Sequence, residues 1–106
     1  MNYFPHNISK KDKELFRREF QKGMIKIAVP WFSREMESEL TKHVDRPGWK
    51  REAFNFLYGR LCEEVIELDK ALFENGRAIR KKNSKQIVKE CADVANFAMM
   101  IADNIK

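Results

Sequence analysis

Two pairs of acidic residues interrupt apolar stripes in the C-terminal half of the chain. Glu64 and Glu67 form one pair, Glu90 and Asp93 form the other, and the members of each pair are three residues apart. In a helix this spacing places both side chains on the same side. The two stripes read Leu57, Leu61, Glu64, Leu68, Ala71 and Ile87, Glu90, Val94, Phe97, Ile101. If the stripes pack against each other, four carboxylates converge.

Four converging carboxylates indicate a bound cation, because a single buried carboxylate destabilises the fold and several carboxylates in a cluster repel one another. A set of oxygen ligands without sulfur or a neighbouring imidazole favours Mg²⁺, with Mn²⁺ as the alternative, over zinc. Mg²⁺ also keeps coordination positions for water and for substrate phosphates. The pattern therefore predicts a magnesium site suited to a nucleoside triphosphate.

Other interpretations of the acidic pairs remain open. Either pair alone is common on a solvated helix face, where Lys70 or Arg60 would form surface ion pairs with it. Two such pairs in consecutive apolar stripes are much less expected there. Di-iron chemistry is a poor fit, because helical di-iron sites use a histidine three residues after a glutamate. The only histidines, His6 and His43, do not follow a glutamate in this way.

Helices must position the acidic residues, and the helix signals begin near the N-terminus. Ser9 is the predicted cap of a first helix over about residues 10–22, which the glycine that follows would end. A second predicted helix covers about residues 31–43, with apolar residues at four-residue spacing. Pro30 either lies in the first turn of this helix or kinks a longer helix that begins near residue 24, and the sequence leaves both open.

A third predicted helix carries the first acidic pair. A turn signal at residues 45–48 precedes it, and the helix runs over about residues 51–74 until Asn75-Gly76 ends it. The basic stretch that follows, residues 77–83, is predicted to be a connection with room for one helical turn.

A fourth predicted helix, with the second acidic pair, runs from Ser84 to about Asn104. Asn83 is its predicted cap and Gln86 the reciprocal partner. Strand-like alternation is missing from the sequence, so the pattern predicts an all-α helical bundle.

The length of 106 residues suits one domain with a modest core. Eight Phe and two Trp predict shared apolar surface, and we expect oligomerisation to complete the bundle.

Charge and cysteine content restrict the class of protein. The net charge of +5 suits an anionic partner, which is either a nucleic acid or a phosphate-bearing small molecule. Cys62 and Cys91 lie within apolar helical patterns, outside any Cys-x-x-Cys motif, and are predicted to be buried free thiols. Since we find no signal peptide and no apolar run of about 18 residues, we expect a cytoplasmic protein without a membrane partner.

The residues around the acidic pairs resemble a known family signature. They read LCEEVIEL over residues 61–68 and KECADVAN over residues 89–96, with 22 residues between Glu67 and Glu90. These two stretches resemble the signature of the MazG-like, all-α nucleoside triphosphate pyrophosphohydrolases. Further stretches resemble the small MazG-like proteins of bacteriophages and their hosts, namely Trp31–Met36, Pro47–Lys50 and Asn96–Asp103. The resemblance covers about residues 31–103. We therefore predict a MazG-like domain over residues 24–106, preceded by a helical extension over residues 1–23.

The resemblance implies Mg²⁺-dependent hydrolysis of (deoxy)nucleoside triphosphates to the monophosphate and pyrophosphate. It assigns the metal ligands and catalytic residues to the four acids, Glu64, Glu67, Glu90 and Asp93. Glu63 ranks below these four as a candidate base or as a residue behind the direct ligands. Family members are typically dimers or tetramers, so the resemblance also implies a homo-oligomer.

Nucleotide contacts are assigned to residues near these motifs. Trp49 and Trp31 could stack on a base, although aromatic residues beside turns also serve as packing anchors. Asn96 could bind the nucleotide or orient a ligand, or it could be a satisfied interhelical amide. Six basic residues could offset triphosphate charge, namely Lys50, Arg60, Arg77, Arg80, Lys81 and Lys85.

A second functional class is also compatible with the sequence. A basic helical protein without catalysis could bind nucleic acid or a regulatory partner, and the Lys- and Arg-rich N-terminal segment favours this alternative. A related enzyme could instead act on another diphosphate-containing metabolite. A protein that only binds has no reason to keep four carboxylates together against their repulsion, so the complete acidic set favours an enzyme.

Overall fold

The computed structural model describes residues 7–79 and 83–106, and these residues are predominantly helical. Helix α1 covers Lys10–Thr41, α2 covers Phe54–Leu72 and α3 covers Ser84–Ile105. A short antiparallel hairpin lies between α2 and α3, formed by β1, Phe73–Glu74, and β2, Arg77–Ala78. The predominance of helices confirms the predicted all-α class. None of the described helices combines the length and apolarity that crossing a membrane requires.

A single helix, α1, replaces the two helices predicted for the N-terminal part. Ser9 caps it as predicted, because the Ser9 Oγ accepts a hydrogen bond from the Asp12 backbone N–H at 3.1 Å. Gly23 and Pro30 both lie inside α1, so the predicted helix end and the predicted second start are wrong. An interior glycine costs only about 1 kcal/mol relative to alanine, and an interior proline about 3 kcal/mol, which the helix formers on both sides outweigh.

The dipeptide Asn75-Gly76 forms the turn of the hairpin that follows α2, which ends at Leu72. Its φ angles are +52° and +75°, a left-handed backbone that Asn and Gly adopt readily and that two-residue hairpin turns require. The flanking residues therefore pair, with Phe73 opposite Ala78 and Glu74 opposite Arg77. The predictions of a helix up to Glu74 and of no strand are wrong, because Asn-Gly is a hairpin signal as well as a helix stop.

Asn83 caps α3 as predicted, and its Oδ1 accepts a hydrogen bond from the Gln86 backbone N–H at 3.2 Å. The Gln86 side chain does not turn back to the cap. Its Nε2 donates to Glu90, one turn further along α3. The residue predicted to close a capping box therefore supports an acidic side chain instead.

Contacts divide the chain into two units, with the boundary between Phe32 and Ser33. In the first unit, no residue of α1 is buried, and one side of this helix carries large apolar residues that are at least 43% exposed. These residues are Phe20, Met24, Ile27 and Trp31, which we call the α1 stripe. The extension over residues 1–23 and the domain over residues 24–106 stay predictions.

In the second unit, α2 packs against α3. Leu57 of α2 and Ala92 of α3 are fully buried at this contact. Asn96 of α3 is also buried, and its Nδ2 donates a hydrogen bond to the Met36 carbonyl at 3.1 Å. This bond fastens the C-terminal part of α1 to α3.

The two cysteines are free, as predicted, but differ in burial. Cys62 is exposed and Cys91 is half-buried. The prediction of a buried thiol is wrong for Cys62, because its side of α2 faces solvent together with Tyr58 and Val65.

The turn before α2 is held to the C-terminal end of α3. Trp49 Nε1 donates to Asp103 Oδ2 at 3.0 Å, and Asn104 Nδ2 donates to the Trp49 carbonyl at 2.9 Å. Lys50 and Lys106 form ion pairs with the same aspartate. Hydrogen bonds from Lys50, Lys106 and Trp49 lower the pKa of Asp103 well below its ordinary value. We call this set of contacts the C-terminal clamp.

Asp103→Asn is expected to lower the midpoint of thermal unfolding at neutral pH, because the amide loses both ion pairs of the clamp. The pKa of Asp103 is depressed by folding, so its carboxylate stabilises the fold fully above the unfolded pKa of about 3.9. That stabilisation is lost as the pH falls from there towards the folded pKa. Thermal unfolding followed by circular dichroism should therefore show a constant deficit from about pH 5 to 8, which shrinks below about pH 4.

Asp69→Asn is the matched control, because the Asp69 side chain has no hydrogen bond or ion pair within residues 7–79 and 83–106. If both variants unfold at the wild-type temperature at pH 7, the clamp does not stabilise the fold.

Candidate metal centre

Three of the four predicted acidic ligands meet between α2 and α3. Glu64, Glu90 and Asp93 each place a carboxylate oxygen within 4.8 Å of the other two. Glu64 comes from the face of α2 that carries the buried Leu57, and the other two come from one side of α3. The packing of the two helices therefore produces the cluster, as the interrupted stripes predict.

Glu64 is held in an unfavourable electrostatic environment. Its side chain is only 14% exposed, and it accepts a hydrogen bond from Arg60 Nη2 at 3.0 Å. Burial raises the pKa of the Glu64 carboxyl above its ordinary value, and the neighbouring carboxylates of Asp93 and Glu90 raise it further. The positive charges of Arg60 and Lys89 oppose this rise without cancelling it. The folded chain thus keeps a carboxylate where a proton or a cation is favoured.

The two α3 acids each have one donor. Asp93 Oδ2 accepts a hydrogen bond from Lys89 Nζ at 2.9 Å, and this bond raises the pKa of Lys89. Glu90 is only 7% exposed and accepts a hydrogen bond from Gln86 Nε2. An ionised carboxylate offers about four acceptor positions, so both side chains retain capacity for further ligands.

Asn96 lines the same cavity and carries a buried oxygen. It is 3% exposed, and its Nδ2 donates a hydrogen bond to the Met36 carbonyl. Its Oδ1 is buried without a hydrogen-bond partner in the part of the chain that the structure describes. An unpaired buried acceptor costs roughly 1–3 kcal/mol, so a donor such as metal-bound water, or the cation itself, would relieve it. The residues therefore fit a hard divalent cation.

A cavity of about 520 Å³ connects these groups. Its lining includes all four predicted acids together with Arg60 and Asn96. Apolar side chains complete part of the wall, and among them Phe97 has the Arg60 guanidinium over its ring at 5.1 Å from the centroid. The cavity thus combines acidic, basic and apolar surfaces.

Glu67 lines the cavity but does not join the cluster. Its side chain is 51% exposed and accepts a hydrogen bond from Lys70 Nζ at 3.4 Å. Glu63 is exposed and forms an ion pair with Arg60, so it lies outside the cluster, and its role behind the direct ligands stays a prediction.

Only some of the residues predicted to contact the nucleotide line the cavity. Arg60 and Asn96 line the cavity, whereas Trp49 and Lys50 belong to the C-terminal clamp and are not part of its lining. Trp31 lies in the first unit, where its ring is 6.0 Å from that of Phe32. Arg77 and Lys85 are exposed and do not line the cavity. Arg80 and Lys81 lie outside the described residues.

The structure also brings residues to the cavity that the sequence reasoning missed. Glu39 is only 12% exposed and forms an ion pair with Lys42 at 2.7 Å. Glu39 follows Met36 by three residues, so it too is an acid within an apolar stripe, the signal that identified the other carboxylates. Further basic residues also line the cavity, namely Lys42, His43, Arg46 and Lys89.

Comparison with known proteins adds no relative. No family model, curated protein or solved structure matches this chain. The assignment of the site therefore rests on its residues and their geometry.

Glu64→Gln is expected to raise the midpoint of thermal unfolding in the presence of a chelator. A carboxyl whose pKa is raised by folding destabilises the folded state fully while the pH is above the folded pKa, and this cost is lost as the pH falls through the folded pKa towards the lower unfolded value. In Mg²⁺ the wild type should gain about 2.7 kcal/mol at a metal concentration of 100 times Kd, and the variant should gain less. Scanning fluorimetry in EDTA and in MgCl₂ measures both effects.

Glu63→Gln is the matched control, because Glu63 shares the Arg60 partner but lies outside the cluster. An equal response to Mg²⁺ in the wild type and Glu64→Gln would remove Glu64 from the metal site.

Proposed function

We propose that this chain hydrolyses nucleoside triphosphates to the monophosphate and pyrophosphate, using Mg²⁺ or Mn²⁺ held by its carboxylates. The observation that carries the proposal is the cluster of Glu64, Glu90 and Asp93 oxygens within 4.8 Å, in a cavity also lined by Asn96 with its unpaired Oδ1. Carboxylates that repel one another and still share a site are best explained by a cation. The resemblance of these residues to the MazG-like signature supports the same conclusion.

Glu64, Glu90 and Asp93 would hold the cation. Glu67 would join them by turning away from Lys70, since it lines the same cavity one helical turn after Glu64. A cation bound there supplies a water of lowered pKa and offsets the negative charge of the phosphates.

Two basic side chains at the cluster would bind the phosphates of the substrate. Arg60 and Lys89 now donate to Glu64 and Asp93, which are the carboxylates that would hold the cation. Once these carboxylates are occupied, both side chains can donate to phosphate oxygens. Arg60 also keeps its position over the Phe97 ring, so its guanidinium is oriented by stacking as well as by the ion pair.

The remaining cavity surface suits a nucleoside. Its volume of about 520 Å³ lies in the usual range for small-molecule sites, roughly 300–1,000 Å³. Leu40, Phe97 and Met100 give it an apolar part for the base.

A panel of ribo- and deoxyribonucleoside triphosphates tests the proposed reaction, with pyrophosphate measured in Mg²⁺ and in EDTA. We expect pyrophosphate from at least one nucleotide in Mg²⁺ and none in EDTA. Glu64→Gln and Asp93→Asn should each lower kcat/KM on the order of 10²-fold or more, because each removes a charge that holds the cation. Asp69→Asn on the exposed side of α2 is the control and should keep the wild-type rate.

The absence of pyrophosphate with every nucleotide would contradict the proposal, as would full activity of Asp93→Asn. Binding of nucleic acid by an inactive chain would instead favour the basic interaction protein.

We further propose that the chain acts as a homodimer or tetramer. The α1 stripe supports this proposal, because its four large apolar residues follow one another at helical spacing on a helix without a buried residue. The family resemblance implies the same, and a second copy of the chain is the occupant that it favours.

Phe20→Glu is expected to shift the molar mass measured by light scattering towards the monomer, because it places a charge in the middle of the α1 stripe. Gln21→Glu changes the charge equally at the next exposed position, off the stripe, and should leave the mass unchanged. A monomeric wild type at micromolar concentration would contradict the oligomer.

A further inference from the structure

The turn that follows α1 contributes basic residues to the cavity of the acidic cluster. Lys42, His43 and Arg46 all line this cavity, yet the predicted phosphate contacts lay elsewhere in the sequence. The cavity therefore has two kinds of charged lining, acids from α2 and α3 and bases from the turn after α1. A nucleotide with a bound cation matches both kinds of lining, because its metal ion suits the acids and its free phosphate oxygens suit the bases.

Most basic residues of the cavity are already paired with carboxylates. Lys42 binds Glu39 at 2.7 Å, Lys89 binds Asp93 at 2.9 Å, and Arg60 binds Glu64 at 3.0 Å. Arg46 and His43 are different, because their side chains have no hydrogen bond or ion pair with any residue in the described ranges. The Arg46 guanidinium therefore keeps all five of its N–H donors for a ligand.

The backbone places Arg46 and His43 on an anchored segment. The His43 N–H donates to the Leu40 carbonyl at 3.0 Å, and the Arg46 N–H donates to the His43 carbonyl at 3.0 Å. Three residues after Arg46, the C-terminal clamp holds Trp49 to the end of α3. The segment is thus fixed at α1 and at α3, which reduces the entropy that an arginine on a free loop would lose on binding.

A basic residue after a helix also has a simpler explanation. The C-terminal end of a helix carries partial negative charge, so cations there are stabilising without any ligand. That effect explains why a base occurs in this turn, but it does not require the base to line a cavity with five acidic residues. An anionic substrate is repelled by those acids, and Arg46 and His43 can donate to it without first leaving a carboxylate partner within the described residues.

We propose that Arg46, assisted by His43, forms an anion subsite for the terminal phosphates of the substrate, the part that leaves as pyrophosphate. This inference rests on the proposed function and assigns the selection of triphosphates over monophosphates to the turn after α1. Arg46 binds the phosphate oxygens through its planar guanidinium, which can donate two parallel hydrogen bonds. His43 donates a further hydrogen bond from its imidazole. Neither residue holds the cation.

Binding of inorganic tripolyphosphate, measured by titration calorimetry with Mg²⁺ present, tests the subsite without any nucleotide. Arg46→Gln is expected to weaken this binding on the order of tenfold or more, which is typical for loss of charge-assisted hydrogen bonds. Arg46→Lys should fall between the variant and the wild type, because it keeps the charge but not the paired donors. Mg²⁺ binding without phosphate should be unchanged.

Arg51→Gln is the matched control, since Arg51 is exposed, lies five residues later and is not part of the cavity lining. Thermal unfolding of each variant excludes loss of the fold. The subsite is overturned if the wild type does not bind tripolyphosphate, or if Arg46→Gln and His43→Gln weaken binding no more than Arg51→Gln does.

Failure of the subsite and failure of the proposed function give different results. Tripolyphosphate binding that depends on Arg46, in a chain that releases pyrophosphate from no nucleotide, supports the anion subsite and contradicts the hydrolase. Pyrophosphate release with an unchanged KM in Arg46→Gln supports the hydrolase and overturns the subsite.

Discussion

Repulsion among carboxylates is the constraint on which the second unit depends. Packing of α2 against α3 brings Glu64, Glu90 and Asp93 within 4.8 Å, and burial makes the charge of Glu64 more costly still. The positive charges of Arg60 and Lys89 offset only part of this cost, because the pKa of Glu64 stays raised. Clusters of carboxylates with raised pKa values are typical of functional sites, where stability is given up for binding or catalysis. The cavity beside this cluster is also lined by basic residues and by Asn96.

Hydrophobic periodicity predicts the part of this arrangement that depends on α2 and α3. A carboxylate within an apolar stripe must meet the facing helix, so Glu64, Glu90 and Asp93 could be found from spacing alone. Glu67 follows the same spacing, yet its side chain turns to Lys70, because a residue at the edge of the stripe can choose a solvent-exposed partner. Glu39 was not predicted, although it too is an acidic residue within an apolar stripe, on α1. Glu39 has no acidic residue three positions before or after it, so it lacks the paired pattern of the four predicted ligands.

The errors in the fold have a common physical cause. Gly23, Pro30 and Asn75-Gly76 all weaken a helix locally, and propensity alone does not say whether the surrounding residues compensate. In α1 they do, whereas at Asn75-Gly76 the left-handed turn lets the chain gain strand pairing in place of a further helical turn. Trp49 illustrates a second limit. A tryptophan beside a turn can stack on a ligand or anchor the chain, and only the position of Asp103 and Asn104 shows that it anchors.

Two asparagines of α3 bind main-chain carbonyls on distant segments. Asn96 reaches the carbonyl of Met36, and Asn104 reaches that of Trp49. Because every residue type carries the same carbonyl, substitution at position 36 can leave the first contact intact. Correlated substitution between homologous sequences would therefore not reveal this tertiary contact between the C-terminal part of α1 and α3. The side chain at position 36 can therefore change while Asn96 keeps its hydrogen bond to the main chain.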